Sequence, residues 1–435
     1  MTMNFDSLNL HETLSRALQS AGYTEPTDVQ SAAIPPGLAG ADLMVSSRTG
    51  SGKTASFMLP ALTKVLASRQ AAPGGPGQKA RGPRVLVLTP TRELALQVAK
   101  AASDYGRFVP GLRVATVVGG VPYGAQLAAL RGHLDILIAT PGRLIDHLGS
   151  GKAVLGNVEM LVLDEADRML DMGFIDDIRL IVDATPKQRQ TVMYSATFSG
   201  HVGRLAADLL RDPQRIEMAS HTEGHADIEQ RLHWADDFEH KNALLDHILT
   251  ERSVEQAVVF TSTQRDADWL ADRLHDMGHS VASLHGGMPQ GRRNRVLQGL
   301  RSRHLRVLVA TDVAARGIDV PSISHVINFG LPMKEEDYVH RIGRTGRAGR
   351  AGMAVTLAER RDTGMIGRIQ RYTTQRIPAT TIEGLEPKRP EPKAAPSAPL
   401  GRGAKPGKGY GPRVPGGKPF KPAGKTFSRD PRPVR

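Results

Sequence analysis

The chain has 435 residues, 40% of them hydrophobic, which is enough for two or three packed domains; no run approaches the length of a membrane span. It contains no cysteine, which excludes disulfides and thiolate metal sites and fits a reducing, cytoplasmic setting. The net charge of +13 is uneven: residues 388–435 hold 13 Lys/Arg against 2 Asp/Glu, so the body is nearly neutral and the polyanion-binding character belongs to the tail.

Residues 1–9 show no basic region followed by an apolar core, so no signal peptide is expected. From Phe5 to Gln30 the pattern reads as a helix followed by a turn-rich stretch ending Gly22-Tyr23-Thr24-Glu25-Pro26-Thr27-Asp28-Val29-Gln30. A glutamine side chain has the acceptor and donors that suit the N6/N7 edge of adenine, and Phe5 has a ring that can stack on a base. Residues 47–54 read Ser-Arg-Thr-Gly-Ser-Gly-Lys-Thr, between a short apolar run and a helix-compatible segment. Strand, glycine-rich turn and helix N-terminus in that order make a phosphate cradle. Thr49, Gly50, Ser51 and Gly52 supply the turn, Lys53 reaches the β- and γ-phosphates, and the Thr54 hydroxyl is a ligand for Mg²⁺. Ser47 stands where the loose pattern wants glycine.

Beyond a Gly/Pro-rich loop at residues 70–83, one pattern repeats. Short β-branched runs end in polar or glycine-rich turns, and helical stretches follow. The turns hold Pro90-Thr91-Arg92-Glu93, Gly119-Gly120, Thr140-Pro141-Gly142-Arg143, Asp164-Glu165-Ala166-Asp167 and Ser195-Ala196-Thr197. Residues 219–226 turn polar, as a linker does. A second series then places Thr261-Ser262-Thr263, His285-Gly286-Gly287, Thr311-Asp312 and Gly330 after its strands, and residues 353–357 close the set. This alternation predicts parallel sheets with helices on both faces, binding ligands outside the strand C-terminal ends. Two α/β lobes are expected, at 1–218 and 227–386. From 387 the chain turns Pro/Gly/Lys/Arg-rich, which predicts a disordered tail with no packed core, whose basic charge suits either a polyanion such as nucleic acid or simple solubilisation.

Asp164 suits Mg²⁺ and Glu165 an attacking water, and the arginines of His340-Arg341-Ile342-Gly343-Arg344-Thr345-Gly346-Arg347 suit phosphate oxygens across a cleft. The small residues and Arg143 suit tracking of a sugar-phosphate backbone, while only 4% aromatics argues against base-stacking platforms.

Taken together, these motifs resemble the DEAD-box RNA helicases throughout residues 5–357. Residues 22–30 resemble that family's adenine-reading Q motif, with Phe5 at the upstream aromatic position, Tyr23 for the usual Phe and Val29 for the usual Ile. Residues 47–54 resemble motif I, where a small residue commonly replaces the first glycine. The resemblance implies two tandem RecA-like lobes that use ATP and Mg²⁺, with Lys53, Asp164, Glu165, Arg344 and Arg347 catalytic. It implies ATP contacts at Phe5, Tyr23, Thr27, Gln30, Thr49, Gly50, Ser51, Gly52, Lys53, Thr54, Asp319, Arg344 and Arg347. RNA contacts are implied at Pro90, Thr91, Arg92, Gly119, Gly120, Thr140, Pro141, Gly142 and Arg143 of the first lobe. In the second they fall at Thr261, Gly287, Gln290, Arg293, Thr311 and Arg316. Asp167, Ser195, Thr197 and His340 are implied to couple the ATP state to strand separation.

The expected activity is RNA-dependent ATP hydrolysis with local, non-processive unwinding of short duplexes; the alternative is an ATP-gated clamp or annealing chaperone. Expected partners are single-stranded and short duplex RNA, with ribosomal precursor particles or the RNA degradation machinery as the setting, DNA disfavoured and no membrane. The compact core with a basic tail resembles the bacterial RhlE-type group.

Overall fold

Runs of consecutive apolar residues become strands covered on both faces. The computed structural model describes residues 4–47, 51–70, 82–198, 200–218, 227–315, 318, 320, 322–347 and 350–392. The linker expected at 219–226 and the tail from 393 onward lie outside the described residues.

After a short 3₁₀ turn at Phe5–Leu8, the first lobe runs α1 (Glu12–Ser20), α2 (Asp28–Leu38), β1 (Leu43–Ser46), α3 (Lys53–Gln70), β2 (Val85–Leu88) and α4 (Arg92–Tyr105). It continues through β3 (Val114–Val117), α5 (Tyr123–Leu130), β4 (Ile136–Ala139), α6 (Pro141–Gly149), β5 (Met160–Leu163) and α7 (Ala166–Asp171). It closes with α8 (Ile175–Asp183), β6 (Gln190–Ser195), α9 (Gly200–Leu209) and β7 (Gln214–Glu217). The seven strands form one parallel sheet in the order β3-β4-β2-β5-β6-β1-β7.

The second lobe runs β8 (Ile228–Ala235), α10 (Phe238–Thr250), β9 (Ala257–Phe260), α11 (Gln264–Asp276), β10 (Val281–Leu284), α12 (Gln290–Arg301) and β11 (Val307–Ala310). Then come α13 (Asp312–Ala315), β12 (His325–Asn328), α14 (Glu335–Ile342), β13 (Gly352–Glu359) and α15 (Thr363–Thr373). Its six strands are also parallel, ordered β10-β11-β9-β12-β13-β8.

The period-2 geometry of a strand divides each apolar run between two cores. Val85 and Val87 of β2 join Ile136 and Ile138 on one face of the first sheet, while Leu86 and Leu88 join Leu137 and Leu161 on the other. In the second lobe Val259 and Val309 face one cluster, and Val258, Phe260 and Leu308 face the opposite one.

The expected strands all appear, with bounds shifted by a residue or two. Sequence reading missed β7 and β8, which lie at sheet edges. Their sequences, Gln-Arg-Ile-Glu and Ile-Glu-Gln-Arg-Leu-His-Trp-Ala, are too polar to stand out. It also missed that the stretch ending at Gln30 turns straight into a helix, α2, which carries Pro35 and Pro36 in its last turn. No helix among the described residues is long and apolar enough to cross a membrane.

Past the second lobe's last helix the chain stays attached to it. The backbone N–H groups of Lys388 and Arg389 donate to Asp236 at 2.7 and 3.2 Å.

Asp42, buried just ahead of β1, accepts hydrogen bonds from the backbone N–H of Thr191 at 2.7 Å and of Arg211 at 2.8 Å. It therefore ties β6 and the end of α9 to the strand that carries the glycine-rich turn. Asp42→Ala leaves two backbone donors without their partner, the one on Thr191 fully buried, and should cost on the order of 3 kcal/mol. Thermal unfolding of the full chain would show this as a transition lowered by roughly 6–12 °C.

Candidate active site and RNA-facing edge

The sheet order explains how distant motifs meet. β5, β6 and β1 are successive neighbours, so Asp164-Glu165, Ser195 and Ser47 emerge side by side at one edge. Adjacent strands lie only about 4.8 Å apart, which brings Lys53 to carboxylates more than a hundred residues away. Lys53 Nζ stands 3.0 Å from Asp164 Oδ1 and 3.4 Å from Glu165 Oε1, and all three side chains are buried.

Burial works to lower the Lys53 pKa, but the charges of Asp164 and then Glu165 outweigh it and hold it above the usual lysine value. Burial lifts the Asp164 carboxyl above the ordinary range against the pull of Lys53. Glu165 is also subject to burial, but Lys53, Arg344 and Arg168 overcome it and hold this carboxyl below the ordinary range, ionised. Glu165 has φ 56° and ψ 55°, a left-handed conformation disfavoured for a side chain of its kind. That strain sits in the turn between β5 and α7, beside Lys53.

Both oxygens of Asp164 are buried and neither accepts a hydrogen bond; its partner is the ion pair with Lys53. Among the described residues no cluster of three or more His, Asp or Glu side chains forms a metal cage. A carboxylate paired only with Lys53, at the strand edge where α3 begins with Lys53 and Thr54, fits an ion held mostly by phosphate oxygens and water.

The segment around Gln30 is a clasp on the glycine-rich turn. Thr27 Oγ1 donates to the Ser51 carbonyl at 2.8 Å, and Gln30 Nε2 donates to the Gly52 carbonyl at 3.0 Å. Gln30 Oε1 accepts from the Thr27 N–H at 3.0 Å, which starts α2. These bonds use one donor and one acceptor of the Gln30 amide, which has a second donor and a second lone pair. Phe5 is 5% exposed and belongs to the first-lobe core, whereas Tyr23 is 45% exposed and packs edge-on against Tyr105. Thr49 and Gly50 lie outside the described residues, as do Arg316 and Asp319.

The chain matches two family models, DEAD/DEAH box helicase over residues 27–205 and Helicase conserved C-terminal domain over residues 239–349. It is 43% identical over 389 residues to the ATP-dependent RNA helicase SrmB of Escherichia coli K12, covering 89% of this chain and 86% of that one. The chain belongs to the DEAD-box ATP-dependent RNA helicases.

Solved structures agree. S. cerevisiae Dbp5 bound to RNA and ADP–BeF₃ superposes with TM-score 0.75 at 29% identity, over 86% of this chain and 95% of that chain. Mss116p bound to ssRNA and AMP-PNP superposes with TM-score 0.78 at 27% identity, over 88% and 81%.

In this DEAD-box helicase the other half of the first edge carries the residues expected to track an RNA backbone. Pro90, Thr91 and Arg92 follow β2, Thr140–Arg143 follow β4, and Gly119 and Gly120 follow β3. Thr91 caps α4, and Arg92 Nη1 donates to the Gly119 carbonyl at 3.4 Å. Pro141 and Gly142 open α6, and Arg143 donates to the Val121 carbonyl at 3.3 Å. In the second sheet the adjacent strands β10, β11 and β9 lead to Gly287, Thr311 and Thr261.

Three of the residues expected to couple the two functions share one hydrogen-bonded turn. Asp167 accepts from the Ala196 N–H at 3.2 Å, Ser195 Oγ donates to the Thr197 carbonyl at 2.6 Å, and Ser46 Oγ donates to the Ala196 carbonyl at 3.2 Å. His340 lines a small hollow with Arg168, Asp337 and Arg344. Arg344 donates to the carbonyls of His340 at 3.2 Å and Ile318 at 2.9 Å, and Arg347 donates to that of Gly343 at 2.7 Å.

Sequence reasoning missed the pairs that join the lobes, although it named Gln290 and Arg293 as RNA contacts. Arg168 pairs with Asp337, and Lys334 Nζ lies 2.5 Å from Asp171 Oδ1. Arg293 donates to Glu93 at 2.8 and 3.2 Å, while Gln290 packs beside Gly120. The partners lie 169 and 200 residues apart, and no local pattern marks them. Arg341, fully buried against Asp312 at 2.5 and 2.7 Å and against the Phe260 ring, holds the second lobe together behind the arginine-rich turn.

Gly52 has φ 88°, and an added Cβ would lie 2.5 Å from Gln30 Nε2 and 2.9 Å from Thr27 Oγ1. Gly52→Ala should therefore open the clasp and lower ATP affinity about tenfold or more, at roughly 1–2 kcal/mol for the left-handed backbone alone. Titration with a fluorescent ATP analogue checks this, with circular dichroism expected to stay that of the parent.

Proposed function

We propose that this chain couples ATP hydrolysis to local, non-processive separation of short RNA duplexes through closure of its two lobes. The observation that carries the reading is the division of each sheet edge. In the first lobe the β5-β6-β1 half supports nucleotide chemistry, and the β3-β4-β2 half faces the backbone-tracking turns. The pairs Arg168–Asp337 and Arg293–Glu93 bridge the lobes beside both halves. A ligand on either half therefore adds to the same closed arrangement, which is how two sites become linked.

In this reading Lys53 leaves the carboxylates to neutralise β- and γ-phosphate oxygens, with Thr27, Gln30 and the turn through Gly52 holding the base and phosphates. Phe5, Tyr23, Thr49, Gly50, Ser51 and Asp319 complete the ATP contacts. Thr54 and Asp164 would hold Mg²⁺, which screens phosphate charge when bound. Glu165, kept ionised by Arg344 and Arg168 and made more basic as Lys53 leaves it, orients an attacking water and takes its proton. Arg344, close enough to act on Glu165, and Arg347 stabilise charge on the departing phosphoryl group.

RNA lies on Pro90, Thr91, Arg92, Gly119, Gly120, Thr140, Pro141, Gly142 and Arg143. It continues onto Thr261, Gly287, Gln290, Arg293, Thr311 and Arg316. Contacts of this kind read sugar and phosphate, so 2′-hydroxyls favour RNA over DNA. The Asp167–Ala196 hydrogen bond supports passage of the ATP state, through Ser195, Thr197 and His340, to the strand path. Action in the cytoplasm, the RhlE-type placement and lobe boundaries at 218 and 227 belong to the same reading.

Steady-state ATP hydrolysis without nucleic acid, with RNA and with matched DNA tests it, alongside Glu165→Gln. RNA should stimulate turnover strongly and DNA weakly, and the variant should lose about 10²–10⁴ in kcat while still binding ATP. Equal stimulation by DNA would overturn the RNA preference. Removing residues 393–435 should weaken RNA binding and flatten its salt dependence, by about 0.7 in the log–log slope for each phosphate no longer neutralised. An unchanged slope would count the tail out as a tether.

A further inference from the structure

The two sheets share a strand order, so each site on the first lobe has a counterpart on the second. β8, β9, β12 and β13 stand in the second sheet where β1, β2, β5 and β6 stand in the first. The place that corresponds to the ATP crevice is a hollow of about 210 Å³ at the ends of these four strands. That is smaller than a drug-sized pocket, which spans about 300–1,000 Å³, and suits a single planar ring system.

Its chemistry is not that of a phosphate site. The N-terminus of α10 is capped by its own Asp237, whose carboxylate accepts from the His240 N–H at 2.8 Å. The cation in its first turn, Lys241, is buried, 3.7 Å from Glu359 and 4.0 Å from Asp362. The hollow's other cation, Arg361, is paired with Glu359 at 2.9 Å, and Asp266 adds negative charge to the lining. With the helix end filled and the lysine held by two carboxylates, an incoming phosphate meets little uncompensated positive charge.

Aromatic surface takes the place of charge. Phe238 is 47% exposed and Trp269 is 43% exposed, with ring centroids 5.3 Å apart. Phe329 stands edge-on behind Phe238 at 5.9 Å and carries Lys241 over its face. In a chain with only 4% aromatics, three of them converge on one hollow. Thr261 and Ser262 line it too, so it adjoins the β9 end of the RNA-facing half.

We propose that this hollow is a base-stacking subsite, which takes one unpaired nucleobase of the RNA strand flanking the backbone-tracking path. It rests on the RNA-path reading above and modifies the expectation, drawn from composition, that this chain lacks stacking platforms. The path itself reads sugar and phosphate, and the Phe238–Trp269 pair holds the strand end by its π-face, without sequence preference.

The chain has two tryptophans, so Trp234→Phe leaves Trp269 as the reporter. Full-length protein in that background is titrated with fluorescein-labelled single-stranded RNA and a non-hydrolysable ATP analogue, recording anisotropy and Trp269 emission together. Emission should change in step with anisotropy, and an abasic site at one position of the strand should abolish the emission change. In the wild-type background Trp269→Ala and Phe238→Ala should each weaken RNA binding about fivefold or more, with RNA-free ATP turnover unchanged. Emission that stays constant while anisotropy reports bound RNA overturns the subsite and leaves the helicase reading intact. Adenosine monophosphate changing the emission as strongly as RNA at equal base concentration overturns the assignment to the strand. Loss of anisotropy and of RNA-stimulated turnover in the parent protein would instead overturn the helicase reading.

Discussion

Lys53 is a buried cation facing two buried carboxylates, and much of the first lobe exists to hold that cluster. Ion pairs of this kind are expensive to desolvate and weak evidence for stability. Here Asp164 has Lys53 as its partner and no other, and Glu165 beside it holds a left-handed backbone conformation. A core of apolar residues would be simpler to build. The cluster makes sense as a site awaiting a polyphosphate, whose charge Lys53 is positioned to meet.

The surrounding arrangement follows from that need. β1, β5 and β6 bring the three motif turns together, and Asp42 fastens β6 and the end of α9 to β1. The segment from Thr27 to Gln30 clamps the glycine-rich turn from outside the sheet. Arg168 and Arg344 bring further positive charge, the second from the other lobe. In the proposed function nucleotide chemistry and RNA grip share a single strand edge, and the lobe–lobe ion pairs flank both halves.

The second lobe repeats the scaffold without repeating the site. Its equivalent of the glycine-rich turn is an aspartate-capped helix, and its equivalent of Lys53 is tied to Glu359 and Asp362. Duplicated strand order preserved the crevice, and side chains changed what it can hold. Fold likeness alone would have assigned it nucleotide binding, whereas the residues in it favour a flat, uncharged ring.

Several features of this protein were decided locally and could be read from its sequence. Apolar runs long enough for a strand but too short for a membrane, each followed by turn residues, specify a buried parallel sheet because both strand faces must be covered. Residues such as Gly52, Lys53, Asp164 and Glu165 carry their chemistry in their type and spacing. Edge strands β7 and β8 escaped because an edge strand needs few apolar residues. Arg168 with Asp337, Arg293 with Glu93, and Phe238 with Trp269 escaped for another reason. Side chains on separate elements meet only once both sheets and their order are set, and nothing in the neighbouring sequence records which partner the fold will supply.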